Sequence, residues 1–161
     1  MKVAVIADTH TRGLSRSVPA GAWPYLESVE HILHAGDVVD PALLHELAGL
    51  APTTVVVGNC DAWDVREWGA TDRVEVELAG LRVGMIHDSG LKQGRRQRMR
   101  EAFPDVRVVV FGHSHMPANE DDGDLLLFNP GSPTWKRRAP FTSMGLLWID
   151  DGKVEGEIFP V

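Results

Sequence analysis

Short apolar, β-branched runs in this chain keep leading into the same kinds of residue. Residues 3–7 lead into Asp8 and His10, residues 31–35 into Gly36-Asp37, and residues 53–57 into Gly58-Asn59. Leu81–Ile86 leads into His87, and residues 106–111 into Gly112-His113-Ser114-His115. Runs of this composition and length predict strands. Open α/β sheets bind ligands outside the carboxyl ends of their strands. The chain is therefore expected to gather carboxylate, amide and imidazole groups along one edge of its sheets.

The other elements fit around those strands. Residues 9–22 read as a loop, and residues 24–30 as a short helix with Pro24 in its first turn. Asp40-Pro41 reads as an N-cap followed by proline, opening a helix to Leu50. Arg73–Leu78 alternates polar and apolar residues and pairs with Leu81–Ile86 as a hairpin. Residues 92–103 suit a helix that stops before Pro104, and residues 125–128 a strand. Residues 143–149 and 153–159 flank Asp151-Gly152, a type I′ hairpin pattern. The N-terminal half thus alternates strand and helix, while the C-terminal half is richer in antiparallel pairs. Two mixed sheets packed face to face, with helices outside, satisfy both halves. At 161 residues the chain is expected to form one domain, 1–161.

Asp8, His10, Asp37, Asn59, His87, His113 and His115 offer hard oxygen and imidazole donors without a thiolate. That mixture suits manganese, iron, nickel, cobalt or zinc better than magnesium or calcium. Singly, most have an ordinary explanation. Asp8 and His10 read equally as a surface Asp and a loop His, Gly36-Asp37 as a turn, Asn59 as an Asn turn, and His87 as a structural histidine. In an extended backbone residues i and i+2 point to one side, which lets Asp8 and His10 reach one cation. Asp37, with two carboxylate oxygens, can bridge two. His113 and His115 are the strongest local pattern, because paired imidazoles make poor packing material. Asp61 reads as a support behind the donors. His31 and His34 read as structural, and His45 as facing solvent.

The order Asp-x-His, Gly-Asp, Gly-Asn-x-Asp, His and Gly-His-x-His, followed by Asn129-Pro130-Gly131-Ser132, resembles the calcineurin-like metallophosphoesterase superfamily. The short length and Gly58-Asn59-Cys60-Asp61 resemble its small YfcE-like phosphodiesterase group. The resemblance implies a four-layer α/β/β/α sandwich. It implies two divalent transition-metal ions, manganese foremost. Asp8, His10, Asp37 and His115 would hold one, and Asp37, Asn59, His87 and His113 the other, with Asp37 bridging. It also implies a phosphoesterase, first of all a phosphodiesterase, in which a metal-bridging hydroxide attacks phosphorus in line with the leaving oxygen. Two other uses of such a fold stay open: a non-catalytic protein-interaction scaffold, as in a retromer subunit, and a phosphomonoesterase. The intact set of seven favours an enzyme.

Three places depart from the family pattern. Cys60 stands where larger members carry a histidine thought to protonate the leaving group, so no catalytic proton donor is assigned. Asp88 follows His87 where many relatives have glycine. Residues 133–138 form a bulkier, more basic stretch after Asn129-Pro130-Gly131-Ser132; Asn59, Arg137 and Arg138 are expected to contact substrate. Cys60 as a nucleophile is disfavoured, since the metals already supply one. Lys92, Arg95, Arg96, Arg98 and Arg100 read as a solvated helix face. Trp63 and Trp135 can stack on an aromatic group or pack. Trp68 is expected to pack or to meet a second copy in a homo-oligomer.

A formal net charge of −7 argues against a general nucleic-acid surface. It leaves room for a small phosphoester substrate, because bound cations reverse the local sign. No apolar run approaches the roughly 18 residues of a membrane span. The first apolar run reads as too short for a signal peptide, and a single Cys60 excludes an intrachain disulfide. The expectation is a cytoplasmic protein without membrane association.

Overall fold

The computed structural model describes residues 1–13 and 17–161. Its strands are β1 (Lys2–Ile6), β2 (His31–His34), β3 (Thr53–Val55), β4 (Arg73–Leu78), β5 (Leu81–Ile86), β6 (Val108–Val110), β7 (Ala118–Asp121), β8 (Leu126–Asn129), β9 (Ser143–Asp150) and β10 (Lys153–Pro160). Its helices are α1 (Trp23–Leu26), α2 (Ala42–Leu50), α3 (Trp63–Trp68) and α4 (Arg95–Ala102). One mixed sheet has the order β10-β9-β1-β2-β3 and the other β4-β5-β6-β8-β7. The expected two-sheet sandwich is the fold observed.

Three separate apolar clusters define its layers. Val3, Val5 and Leu33 of the first sheet meet Val83, Met85, Val110 and Phe128 of the second, forming the middle of the sandwich. On the other face of the first sheet, Ala4, Ile6 and Ile32 pack against Leu26 of α1, Leu44 and Leu47 of α2, and Val65 of α3. Beyond the second sheet, Val109, Phe111 and Leu127 pack against Met99 and Phe103 near α4. The central strands of each sheet are thus buried on both faces, which explains why they read as continuous apolar runs.

Parallel register brings the strand ends level. Ile6 pairs with His34 and His34 with Val55 in one sheet; Met85 pairs with Val110 and Val110 with Phe128 in the other. The two levelled edges meet, as the His113 N–H donating to Asp8 Oδ1 at 3.1 Å shows.

Several boundaries differ from the sequence expectation for physical reasons. Val56 still donates to His34 O of β2 but forms an isolated bridge with Thr71, and the Val57 N–H donates to Thr71 O, so the ladder to β2 stops at Val55. Asp40 Oδ1 accepts the Ala42 N–H as a cap should, with α2 proper starting just after Pro41. Residues 92–94 are a turn, not helix, and Arg98 holds the Gln93 carbonyl. Helix α3 and edge strand β7 were not anticipated. Only Val65 of α3 is buried, and β7 is polar, as exposed edge strands tend to be. At the Asp151-Gly152 hairpin both residues have positive φ, as a type I′ turn requires. Residues 14–16 of the expected 9–22 loop lie outside the described residues; Ala20–Ala22 form a 3-10 turn.

Candidate metal centre

All seven donor side chains sit on loops at the shared edge. Asp8 and His10 follow β1, Asp37 follows β2, Asn59 follows β3, His87 follows β5, and His113 and His115 follow β6. Asp8, His10, Asp37, His113 and His115 take left-handed backbone, with φ between 43° and 67°. This corrects the extended reading of Asp8 and His10. They share a site because each turns a tight corner beyond the strand, not through strand alternation. Such backbone costs about 1–3 kcal/mol per non-glycine residue and persists only where its surroundings fix it. Here the Asp8 N–H donates to Gly36 O and the His10 N–H to Asp37 O, both at 2.9 Å.

The side chains converge. His10 Nε2 and His115 Nε2 lie 3.2 Å apart, and His115 Nε2 is 3.5 Å from Asp8 Oδ1. Asp37 stands between two groups: Oδ2 is 3.5 Å from His10 Nε2, and Oδ1 is 3.5 Å from His87 Nε2. Asn59 Oδ1 is 3.2 Å from His87 Nε2 and 2.8 Å from His113 Nδ1. Donor atoms of Asp8, His10 and His115 fall within 4.8 Å of one another, as do those of Asp8, Asp37 and His87.

The set fits cations. Asp8 Oδ2 is buried and makes no hydrogen bond among the described residues, an unfavourable state for a carboxylate oxygen unless a cation satisfies it. The outer ring nitrogens are anchored. His87 Nδ1 donates to Ala35 O at 2.7 Å, and His115 Nδ1 donates to Trp135 O. A carbonyl can only accept, so in the neutral ring each Nε2 carries the lone pair and turns it inward, the arrangement a metal-binding histidine needs.

Burial raises Asp8 to about 7, helped by the charge of Asp37 and opposed by His87 and the His113 N–H. Burial pushes Asp37 up as well, but hydrogen bonds from His87 and the Cys60 N–H outweigh it and hold this carboxyl well below its usual range. Burial lowers His87, yet its bonds to Asp37 and the Ala35 carbonyl prevail and raise it. His115 drops to about 4 through burial, despite its bond to Trp135.

A supporting layer holds these groups. The Asp61 carboxylate accepts the N–H groups of Asp37, Val39 and Gly58 at 2.9, 2.7 and 2.8 Å. A Cβ on Gly58 would lie 2.2 Å from Asp37 N and Oδ1, so the two loops meet only because position 58 lacks one. Gly36 (φ +88°) likewise leaves room for His87 Nδ1. Asn129, Ser132 and Thr134 had been given no mechanical role by sequence reasoning. They clamp the loops together: Asn129 Nδ2 donates to Gly112 O at 2.9 Å, Ser132 Oγ to Asp8 O at 2.7 Å, and Thr134 Oγ1 to Thr9 O at 2.6 Å. The Asn-Pro-Gly-Ser run was the signal that could have found them.

The remaining expectations sort as follows. His34 is buried between Thr9 Oγ1 and the Gly36 N–H, and burial lowers it to about 3. His31 bonds Thr54, and His45 is exposed. Cys60 is exposed beside Asp37, and its thiol is raised by burial and by that carboxylate. Asp88 Oδ2 lies 4.0 Å from His113 Nε2. Arg137 stacks over Trp135 and donates to His113 O, while Arg138 is exposed. Trp68 packs against the core, whereas Trp63 is 70% exposed. The basic series in α4 and the turn before it is not merely a solvated face. Arg96 and Arg100 reach Asp122, Lys92 reaches Glu120, and Arg98 grips the carbonyls of Ser89 and Leu91. A groove of ≈ 390 Å³ opens beside Asn59, His87 and His113, bounded by Asp88, Arg66 and Asp72.

Two face-to-face mixed sheets with a carboxylate–imidazole cluster at their shared carboxyl edge define a metallophosphoesterase. The chain belongs to the calcineurin-like phosphoesterase superfamily, whose domain matches residues 1–152. It is 37% identical to a probable metallophosphoesterase of Methanothermobacter thermautotrophicus, over 98% of this chain and 91% of that protein. It is 28% identical to a phosphodiesterase of Methanocaldococcus jannaschii, over 81% of this chain and 83% of that one. Among solved structures, wild-type Vps29 of Entamoeba histolytica in complex with zinc superposes with a TM-score of 0.77 at 23% identity. That match covers 99% of this chain and 98% of the Vps29 chain; at that identity the likeness concerns the fold. The family implies a hydrolase that uses divalent metal ions. Among the described residues, no helix is long and apolar enough to cross a membrane.

Proposed function

We propose that this protein is a two-metal phosphodiesterase acting on a small phosphoester. The observation that carries the reading is the position of Asp37, with one carboxylate oxygen toward His10 and the other toward His87. Asp8, His10, Asp37 and His115 would hold one cation, and Asp37, Asn59, His87 and His113 the other. When bound, such a pair of ions, manganese foremost, supplies a water of lowered pKa for in-line attack and neutralises charge on the phosphoryl oxygens. The chain's own contribution is to hold Asp37 ionised, to keep the inward nitrogen of His115 free of a proton through its anchored Nδ1, and to exclude water from the Asp8 side. Asn59, Arg137 and Arg138 are the proposed substrate contacts. With Cys60 in place of a proton donor, good leaving groups are favoured, so aryl diesters should react faster than alkyl ones.

The deciding experiment measures metal content alongside hydrolysis of a panel of diesters and monoesters with added manganese. The wild type should hold about two ions per chain. Asp37→Ala should lose both ions and reduce diester hydrolysis on the order of 1000-fold. Metal-free wild-type protein with no hydrolysis of any ester would leave the interaction-scaffold reading in its place, and a monoester preference would shift the substrate class.

A further inference from the structure

Trp135 and Arg137 form a small built unit on the wall of the metal centre. The Trp135 ring stands edge-on to His10 at 5.6 Å and 71° and to His115 at 5.4 Å and 88°, and its carbonyl accepts from His115 Nδ1. The Arg137 guanidinium lies 4.7 Å over that ring and donates to His113 O at 3.2 Å. The stack therefore touches histidines from both halves of the cluster. Arg137 itself sits in left-handed backbone, with φ 48°.

Its charge is unspent. Arg66, Arg82, Arg96, Arg100 and Arg107 each meet a carboxylate within 4.0 Å. Among the described residues, Arg137 forms no such pair. A guanidinium stays protonated, so it cannot replace the missing proton donor at position 60; it can only stabilise negative charge. Flat stacking on an indole pre-orders the side chain and leaves its fork able to donate to a phosphate oxygen.

We infer that Arg137, held flat on Trp135, binds a non-bridging oxygen of the substrate's phosphoryl group beside the two metals, with Trp135 as its positioning residue. The inference rests on the two-metal phosphoesterase reading. It narrows the substrate to one whose phosphoryl group is approached from the Trp135 wall, and it makes charge stabilisation, not proton donation, this chain's contribution opposite the nucleophile.

The test uses metal-loaded protein, hydrolysis of bis(4-nitrophenyl) phosphate, and binding of inorganic phosphate by calorimetry. Arg137→Ala should keep its metals and lose about 100-fold in kcat/KM, the usual effect of removing one preorganised charge-stabilising donor. Phosphate should bind it about tenfold more weakly. Added guanidinium should restore part of the activity of R137A and none of that of D37A. Arg137→Lys, which keeps the charge but not the fork or the stack, should recover less than about tenfold. Trp135→Phe should stay near wild type, whereas Trp135→Leu should raise KM. R137A activity and phosphate affinity within about threefold of wild type would overturn the inference; so would metal loss in R137A, or full recovery in R137K. A wild type that binds metals but neither phosphate nor ester would instead bring down the phosphoesterase reading, and this inference with it.

Discussion

One side of the candidate centre is dry and the other is wet. Asp8, His10 and His115 are 0%, 3% and 0% exposed, while Asn59 is exposed and the His113 side chain is 43% accessible. The two sides differ in chemistry as well as environment: Asp8 is a carboxylate on the dry side, Asn59 an amide on the wet one, and His87 is the wet side's one buried donor among these. On the dry side burial sets the charges: Asp8 is driven up to about 7 and His115 down to about 4. On the wet side the donors face the ≈ 390 Å³ groove, and water can stand in for a missing ligand. Ions should therefore be held and exchanged differently on the two sides, with Asp37 linking them.

The comparison can be broken at its hinge. Gly58→Ala forces a Cβ to within 2.2 Å of Asp37, so it should disturb both sides at once. It should destabilise the fold by about 1–3 kcal/mol, as overpacking does, and release both ions; denaturation with metal analysis reads both effects. A smaller, asymmetric effect is expected from the histidines. His115→Ala should lose the dry-side ion outright. His113→Ala should keep about one ion per chain and rebind the second at raised manganese concentration, for which a tenfold loss of affinity would be ordinary. Equal losses in the two variants would erase the distinction.

Acidity sharpens it further. The carboxyl of Asp8 is raised above its unfolded value of 3.8, so between about pH 4 and 7 the metal-free folded state binds more protons than the unfolded chain. Its contribution to stability therefore falls as pH rises through that window. Ligation needs the ionised carboxylate, so dry-side metal retention should weaken as pH falls below about 7, well before His115 protonates. Metal release followed against pH in wild type and in His113→Ala would show this; release only near pH 4 would contradict it. The smallest effect is expected at Cys60, whose backbone N–H supports Asp37 while its thiol is exposed. Cys60→Ser should leave metal content and diester hydrolysis close to wild type, and abolished activity would revive a nucleophilic thiol.

Much of this architecture was legible in the chain. The strand runs and the donor that follows each one place the centre, because a buried β-branched run predicts both a strand and where it ends. Asp61 was also legible as a support behind the donors. What could not be read was how the loops close. The left-handed corners at Asp8 and His10 leave no compositional trace, since neither residue announces positive φ as glycine does. The clamp by Asn129, Ser132 and Thr134 depends on contacts more than a hundred residues apart in the case of Ser132 and Asp8. The basic face of α4 was misjudged because its carboxylate partners lie on β7 and the turn after it, an element too polar to declare itself.

The left-handed corners have one more consequence. A chain shaped for durability alone would place glycine at those five bends, where each Asp or His adds about 1–3 kcal/mol of tension. This chain keeps the reactive side chains instead and spreads the tension over loops from both sheets. Sturdiness and reactivity are thus opposed at the same five residues.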